Sequence, residues 1–530
     1  MTTNVENIVI LGGGSAGWMS ASTLVRAYPN KNITLIESES IPTVGVGEST
    51  VSEFNVWTKY LGITSKDFLK DVDGSFKFAI GFTNFKEKKS ETFFYPFGNP
   101  DLSDTVYGID DWDFKKSLYP ETKDSEYVRY FYPQSKCFYS NKVLLKNVES
   151  LYTDCFIPER DVSFQIDASK FGQWLANNYA MPRGVKRIVG TVKKINGTDQ
   201  GITSLVLEDG QEFFADLFVD CTGFKSLLLG DFFKEEFIKT DKTLPNNKAW
   251  ACSVPYTDKD KELQTFTNGT ALKNGWVWNI PLWSRIGSGY VYCDKFIDDE
   301  SALQEFKDHL DSKDMVVYDK DRSKKLNFRQ VYIKNGYYKR PWVKNVVAIG
   351  LSSGFLEPLE STGLMITHMS LMSLVDSLDR GSFTSWDSNV FNKKIINIYE
   401  EVEYFVSLHF GLSKRDDTEY WKYMTSKEYP GDFYVKQDGM FGSNSRAVPV
   451  GFGFRRLYET DIFHEQMSAM DFRKGIGSNN QNKRVKAEQD VLKTLDPSIK
   501  KRIKKIELWD SVIEQCPSHY EYLRDNVYYE

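Results

Sequence analysis

The stretch Asn7-Ile8-Val9-Ile10-Leu11-Gly12-Gly13-Gly14-Ser15-Ala16-Gly17-Trp18-Met19-Ser20-Ala21 decides the fold. Val5 and the run Ile8 to Leu11 are apolar and mostly β-branched, which reads as a short buried strand. The run stops at three glycines, and Trp18 to Arg26 then reads as a helix. Gly12, Gly14 and Gly17 stand at the spacing of a G-x-G-x-x-G fingerprint. The first allows the tight turn, the second lets backbone approach a pyrophosphate, and the third lets helix and strand pack closely. Ser15 and Ala16 lie in the turn before the helix, whose first N–H groups are free for an anion. A second apolar run, Ile33-Thr34-Leu35-Ile36, ends in Glu37, about 20 residues beyond the last glycine, where an acid meets a ribose 2′-hydroxyl. A Gly-rich βα turn without a ligand would not need this acid. The expectation is an α/β chain that binds an adenosine diphosphate moiety here.

With 530 residues the chain is long enough for two or more domains or one large composite one. A net charge of −6 argues against nucleic acid as the main partner. The six cysteines lie far apart with no C-x-x-C pair, so neither a metal site nor a disulfide framework is indicated, and a reducing cytoplasm fits. The N-terminus does not read as a signal peptide, and no run approaches the length of a membrane span.

Farther along, Val44-Gly45-Val46-Gly47-Glu48-Ser49-Thr50 precedes an amphipathic helical stretch to Leu61, placing Ser49 at an anion-friendly helix start. In Gly74-Ser75-Phe76-Lys77-Phe78 a strand would put both phenylalanines on one face and Lys77 on the other. Such a lysine usually snorkels to solvent, although in a cavity its desolvated amine becomes reactive. Residues 92–160 read as mixed loops and strands, Asp167 to Tyr179 as a helix, and Ile188 to Val206 as strands. Ala215 to Phe224 reads as a strand and turn closing on the cofactor sheet. Trp276 and Trp278 share a side of a strand whose antiparallel partner is Gly287 to Tyr292; spacing alone makes them core. Trp342 to Gly350 reads as a strand into a glycine turn at Gly350 and Leu351. Ser361-Thr362-Gly363 then opens a helix, a second anion site, and His368 within that helix reads as a core histidine. Helix is expected from Trp386 to about Met424 and loop over 430–453. The basic tail from Arg473 to Lys505 reads as a solvated helical face.

Four stretches together resemble the flavin-dependent halogenases, particularly the tryptophan-halogenase branch and its marine microbial and cyanophage-encoded members. They are GGGSAGW (12–18), GSFKFAIGF (74–82), WVWNIP (276–281) and EPLESTG (357–363). The W-x-W-x-I-P signature, with Trp276, Trp278, Ile280 and Pro281 all present, separates that family from ordinary flavin monooxygenases. VGVGEST, ADLFVDCTGF, VAIGLSSGF and SLHFGLSKRDDTEYW add further matches. The resemblance covers roughly the first four-fifths of the chain.

The resemblance implies an FAD-binding, Rossmann-like flavoprotein monooxygenase-type fold with a mixed sheet and a largely helical substrate-side and C-terminal part. It implies a discontinuous FAD-binding core over 1–385, with an insertion near 86–160, and a helical cap over 386–530. FAD would lie on Gly12, Gly14, Ser15, Ala16, Gly17, Glu37, Ser49, Gly350 and Leu351. It would act as FADH2, supplied by a separate NAD(P)H-dependent flavin reductase, with O2 and a halide ion. The halide would be held by the Thr362 and Gly363 amides, beside Ser361, and oxidised to hypohalous acid at a flavin C4a-hydroperoxide. Trp276 and Trp278 would keep the substrate from the flavin. Lys77 would receive the oxidant by hydrogen bonding or as a haloamine, and Glu360 would polarise it or take the ring proton. The implied substrate is a free electron-rich aromatic (an indole, phenol or heteroaromatic), with bromide or iodide as well as chloride. No nucleic acid, membrane or metal is implied, and a homo-oligomer is compatible with the family. A flavin-dependent aromatic monooxygenase is the alternative; the absence of a second dinucleotide fingerprint disfavours a nicotinamide dehydrogenase.

Overall fold

The computed structural model describes residues 5–39, 47–106, 111–123, 125–145, 155–379, 384–426 and 489–529. The chain divides into two compact units. One comprises Met1–Gly74, Gln165–Ala249 and Gln330–Phe405; the other comprises Ser75–Phe164, Trp250–Arg329 and Val406–Glu530.

The first unit is built on the fingerprint strand. Asn7–Leu11 lies between Asn32–Glu37 and Leu217–Asp220 in a six-stranded sheet, pairing parallel with both. Lys186–Val189 extends the sheet beyond Asn32–Glu37, and Val346–Ala348 extends it beyond Leu217–Asp220. The central parallel strands are buried on both faces, which is why Ile8 to Leu11 and Leu217 to Val219 are continuously apolar, whereas the edge strand Lys186–Val189 is largely exposed. Val9, Leu11, Ile36 and Phe218 join Ile202, Leu205 and Leu228 in one cluster on one side. Helix Ser15–Ala27 packs against Ala168–Trp174 and against Gly363–Leu378. Ala215 to Phe224 therefore does close on the cofactor sheet. The run Trp342 to Gly350, expected as one strand, is two: Trp342–Val343 folds back antiparallel on Val346–Ala348. Lys344, at φ 54°, makes the turn.

The second unit carries a seven-stranded sheet whose central members are Ile286–Tyr292, Gly275–Pro281, Phe266–Ala271 and Ala79–Thr83, in that order. The tryptophan strand forms the expected antiparallel hairpin, with Trp278 opposite Gly289. One face of the sheet packs Val277, Tyr290 and Tyr292 against Phe306 and Leu310 of helix Asp299–Leu310.

Three other readings change. Apart from strand Phe93–Pro96, the described part of 92–160 is made of short helices, at 111–118, 126–131, 135–139 and 158–161. Their aromatic residues pack on one another, as in the Trp112, Tyr127, Tyr130 and Phe131 cluster, so tertiary contact rather than periodicity sets their form. The helix expected over 386–424 is broken between Ser385–Gly411 and Glu419–Thr425. The basic tail is not simply solvated: in helix Gln489–Glu514, Arg502 is fully buried against Asp101. The 430–453 loop lies outside the described residues.

Candidate active site

In the first unit, the turn after Leu11 has the shape that a dinucleotide requires. Gly12 sits at φ +116°, and a Cβ there would fall 2.2 Å from the Cys221 carbonyl oxygen. A Cβ on Gly17 would lie 1.8 Å from the Gly12 carbonyl oxygen, so helix and strand meet as closely as expected. Gly14 is the N-cap of helix Ser15–Ala27. Ser15 turns its hydroxyl to the Ala168 carbonyl at 2.9 Å, so this turn offers backbone amides rather than that side chain to an anion. Glu37 ends the second strand beside Gly13 and is ion-paired with Arg187 on the neighbouring strand. Ser49, expected at a helix start, instead lies in strand Glu48–Ser49, buried and paired in register with Gln165, and the helix begins only at Phe54. Gly350 lies against Ala16, and a Cβ on Gly350 would sit 2.6 Å from that of Ala16; Leu351 follows in the same helical turn. A glycine cradle, a helix N-terminus and an acid at the end of the second strand fit an adenine dinucleotide such as FAD.

Asp220 was legible only as a strand end. It is fully buried, accepts from Thr222 N–H and Oγ1 (3.0 and 2.7 Å) and from the Leu228 and Leu229 amides (2.8 and 3.1 Å), and so fixes the turn that faces Gly12.

The same unit carries the helix start expected as a second anion site. Glu360, Ser361 and Thr362 are buried, and Ser361 adopts a left-handed backbone, φ 58°. That bend turns the chain from Pro358–Glu360 into helix Gly363–Leu378, leaving the Thr362 and Gly363 amides at the helix start, where amides have no intrahelical acceptor. A Cβ on Gly363 would meet nothing within 4 Å. Farther along the helix, His368 is a core histidine: its ring stands 6.2 Å from that of Phe54, and burial pushes its pKa down to about 3.

The second unit gathers the lysine and the tryptophans. Lys77 does not snorkel. It is fully buried, with Nζ 5.1 Å from the centre of the Phe97 ring. The chain around it is anchored two residues before and one residue after: Ser75 Oγ donates to the Pro281 carbonyl at 2.5 Å, and the Phe78 amide donates to the Thr265 carbonyl at 2.8 Å. Ser75 thereby ties the lysine strand to the end of W-x-W-x-I-P, a link that sequence spacing could not reveal. Trp276 and Trp278 are buried with ring centres 6.3 Å apart, edge to face. Trp278 lies over Gly289, where a Cβ would fall 2.3 Å from the indole. Ile280 and Pro281 are buried beside them. Among the described residues no group of acidic, histidine or cysteine side chains could hold a metal, and no helix is long and apolar enough to cross a membrane.

One unit of the chain thus carries a turn that fits an adenine dinucleotide, and the other a buried lysine and paired tryptophans. The tryptophan halogenase family model matches residues 7–469. Tryptophan 7-halogenase KtzQ of Kutzneria sp. (strain 744) is 30% identical over 443 residues, covering 80% of this chain and 79% of that one. Among solved structures, VirX1 superposes with a TM-score of 0.86 at 33% identity over 99% of both chains. The tryptophan 6-halogenase SttH of Streptomyces toxytricini gives 0.81 at 26% identity over 98% of this chain and 99% of that one. The chain belongs to the tryptophan halogenase family, whose flavin-dependent enzymes use FADH2, a halide and O2.

Proposed function

We propose that this chain is an FADH2-dependent halogenase of a free, electron-rich aromatic small molecule, an indole, phenol or related heteroaromatic, accepting bromide or iodide as well as chloride. The observation that carries the reading is Lys77: a fully buried lysine amine on a strand pinned to the tryptophan motif. Most lysines keep their amine in water; burial costs free energy and makes the amine available for chemistry. KtzQ and SttH are named for halogenation of tryptophan, which supports an aromatic ring as the acceptor.

Reduced flavin, brought by a separate NAD(P)H-dependent reductase, supplies with O2 the two-electron oxidation that converts halide to hypohalous acid. The chain's residues do the rest. The Thr362 and Gly363 amides hold the halide by helix-terminus attraction. Buried Trp276 and Trp278 exclude water and keep the aromatic substrate from the oxidant's source. Lys77 donates a hydrogen bond to the hypohalous oxygen, or exchanges an N–H for N–halogen with loss of water. The ring carbon then attacks the halogen, and Glu360 accepts the proton that the ring must lose. The net transfer is ArH + HOX to ArX + H2O.

The test is an aerobic assay with FAD, NADH and a generic flavin reductase, offering chloride, bromide and iodide in turn against indoles and phenols. Product mass should shift by the halogen supplied. Hydroxylated product irrespective of halide would replace this reading with an aromatic monooxygenase.

A further inference from the structure

A C-terminal segment around His519 packs on the strand that carries Lys77. His519 opens a short helix, His519–Leu523, whose capping box is formed by Ser518 and Glu521. The segment is held firmly: the Val143 amide donates to the Pro517 carbonyl at 3.1 Å, the His519 amide to the Asn141 carbonyl at 3.0 Å, and Ser518 Oγ to Asp260 at 2.6 Å. Asn141 in turn accepts from the Thr265 amide at 3.0 Å. Beyond it, Tyr520 and Tyr528 both stack on Trp283, which follows the tryptophan motif, with ring centres 5.8 and 4.1 Å away.

The imidazole of His519 is fully buried, and its two nitrogens are both engaged. Nδ1 lies 3.1 Å from the Leu263 carbonyl oxygen, while the Phe76 amide approaches Nε2 at 3.0 Å. A carbonyl can only accept, so Nδ1 carries the hydrogen; Nε2 must then present its lone pair to Phe76 N–H. Burial pushes the imidazole down to about 4, which keeps that lone pair available at neutral pH. The Phe76 ring also packs on His519 and on Tyr522, with ring centres 6.3 and 5.9 Å apart. Phe76 immediately precedes Lys77. The backbone on either side of the lysine is thus fixed by two different segments: His519 holds Phe76, and Thr265 holds Phe78.

We propose that His519 is a positioning residue for halogen transfer, setting the backbone from which Lys77 projects through the Phe76 N–H to Nε2 hydrogen bond. This rests on the role given to Lys77 above. It makes the C-terminal segment, which lies beyond the part matched by the family model, a component of the transfer machinery. The lysine tip must meet a small oxidant, and a displacement of about 1 Å at a reacting group costs on the order of a hundredfold in rate.

Two variants separate positioning from mere packing. The side chain of His519→Gln reaches as far as Nε2 and can still accept from Phe76 N–H. That of His519→Asn reaches only to Nδ1, so it keeps a donor for Leu263 but leaves Phe76 N–H without this acceptor. Each is assayed with bromide and indole, with monochlorodimedone as the trap for escaping hypobromous acid, and by hydrogen–deuterium exchange at the Phe76 amide. In His519→Asn the Phe76 amide should exchange faster. Bromoindole formation should fall tenfold or more in kcat, by about the penalty of a misplaced group, with KM within about twofold and hypobromous acid still released. His519→Gln should restore both protection and turnover. Fast exchange at Phe76 with native turnover overturns the proposal, as does equal loss of bromoindole and hypobromous acid with Phe76 still protected. Lys77→Ala in the same assay keeps the two readings apart: native turnover there overturns the lysine's role, whereas a dead Lys77→Ala beside a fully active His519→Asn overturns the positioning alone.

Discussion

Trp278 and Gly289 show how one residue's chemistry constrains another across a hairpin. The indole occupies the volume above Gly289, so the first atom of any side chain at that position would overlap the ring. Gly289→Ala should therefore turn Trp278 out of place, destabilising the protein by about 1–3 kcal/mol, the usual cost of overpacking a core. It should also raise the fraction of oxidant released rather than transferred. Denaturant titration and the monochlorodimedone trap read the two effects separately. That pairing was half-legible: spacing put both tryptophans on one side, but only the register names the glycine beneath. Lys77 illustrates the same limit. Alternation fixes the face on which a side chain lies and not how deep that face is, so its burial became visible only when Phe97 was placed over its amine.

At the scale of elements, the C-terminal helix Gln489–Glu514 is fastened by charge. Arg502 is buried with Asp101, and Lys505 bonds both Asp101 and Asp104. Hydrogen bonds from Lys501 and Lys505 hold the Asp104 carboxyl down at about 2. Burial raises Asp101, yet the bonds from Lys505 and Ser103 outweigh it and leave it below the ordinary range. Removing one partner of a buried pair leaves a charge without compensation. Arg502→Ala should cost about 3 kcal/mol, moderated by Lys505, whereas Lys500→Ala, on the exposed face, should leave stability nearly unchanged. Thermal melts of the two variants check the contrast. A run of lysines and arginines looks the same in sequence whether it faces water or Asp101, which lies about 400 residues earlier, so the reading of a solvated face holds for Lys500 and Lys501 and misses Arg502. The fingerprint elements were legible because their signals are local: an apolar run, a glycine turn and a capping position each fall within a few residues. The helices of 111–139 were not, since their stability comes from aromatic contacts with one another rather than from a clean apolar stripe.

For the whole molecule, buried histidines set one arm of the acid sensitivity. His309, His368 and His519 are lowered by burial to about 4, 3 and 4. Each folded value lies below the ordinary 6.5, so between these limits the unfolded chain binds more protons and stability rises with pH. Their contribution is complete above about pH 6.5 and is lost as the pH falls toward the folded values. Glu48 and Glu401, raised by burial to about 7, act in the opposite sense between their ordinary value and neutrality. A single-site comparison isolates the histidine share: His368→Leu should flatten the stability–pH curve by up to about 1.4 kcal/mol per pH unit between pH 6 and 4. Parallel curves for the two proteins would contradict it.

The organisation of the two units carries the central claim. One holds a glycine turn that fits a dinucleotide and the Gly363 helix start, and the other holds a buried lysine on a strand bonded to the tryptophan motif. The most direct measurement is product mass from native protein and from Lys77→Ala, each supplied with FAD, NADH, a flavin reductase, O2 and bromide, with flavin binding measured alongside. The account predicts brominated aromatic from the native protein and none from the variant, with flavin binding unchanged. Brominated product from Lys77→Ala at the native rate would contradict it.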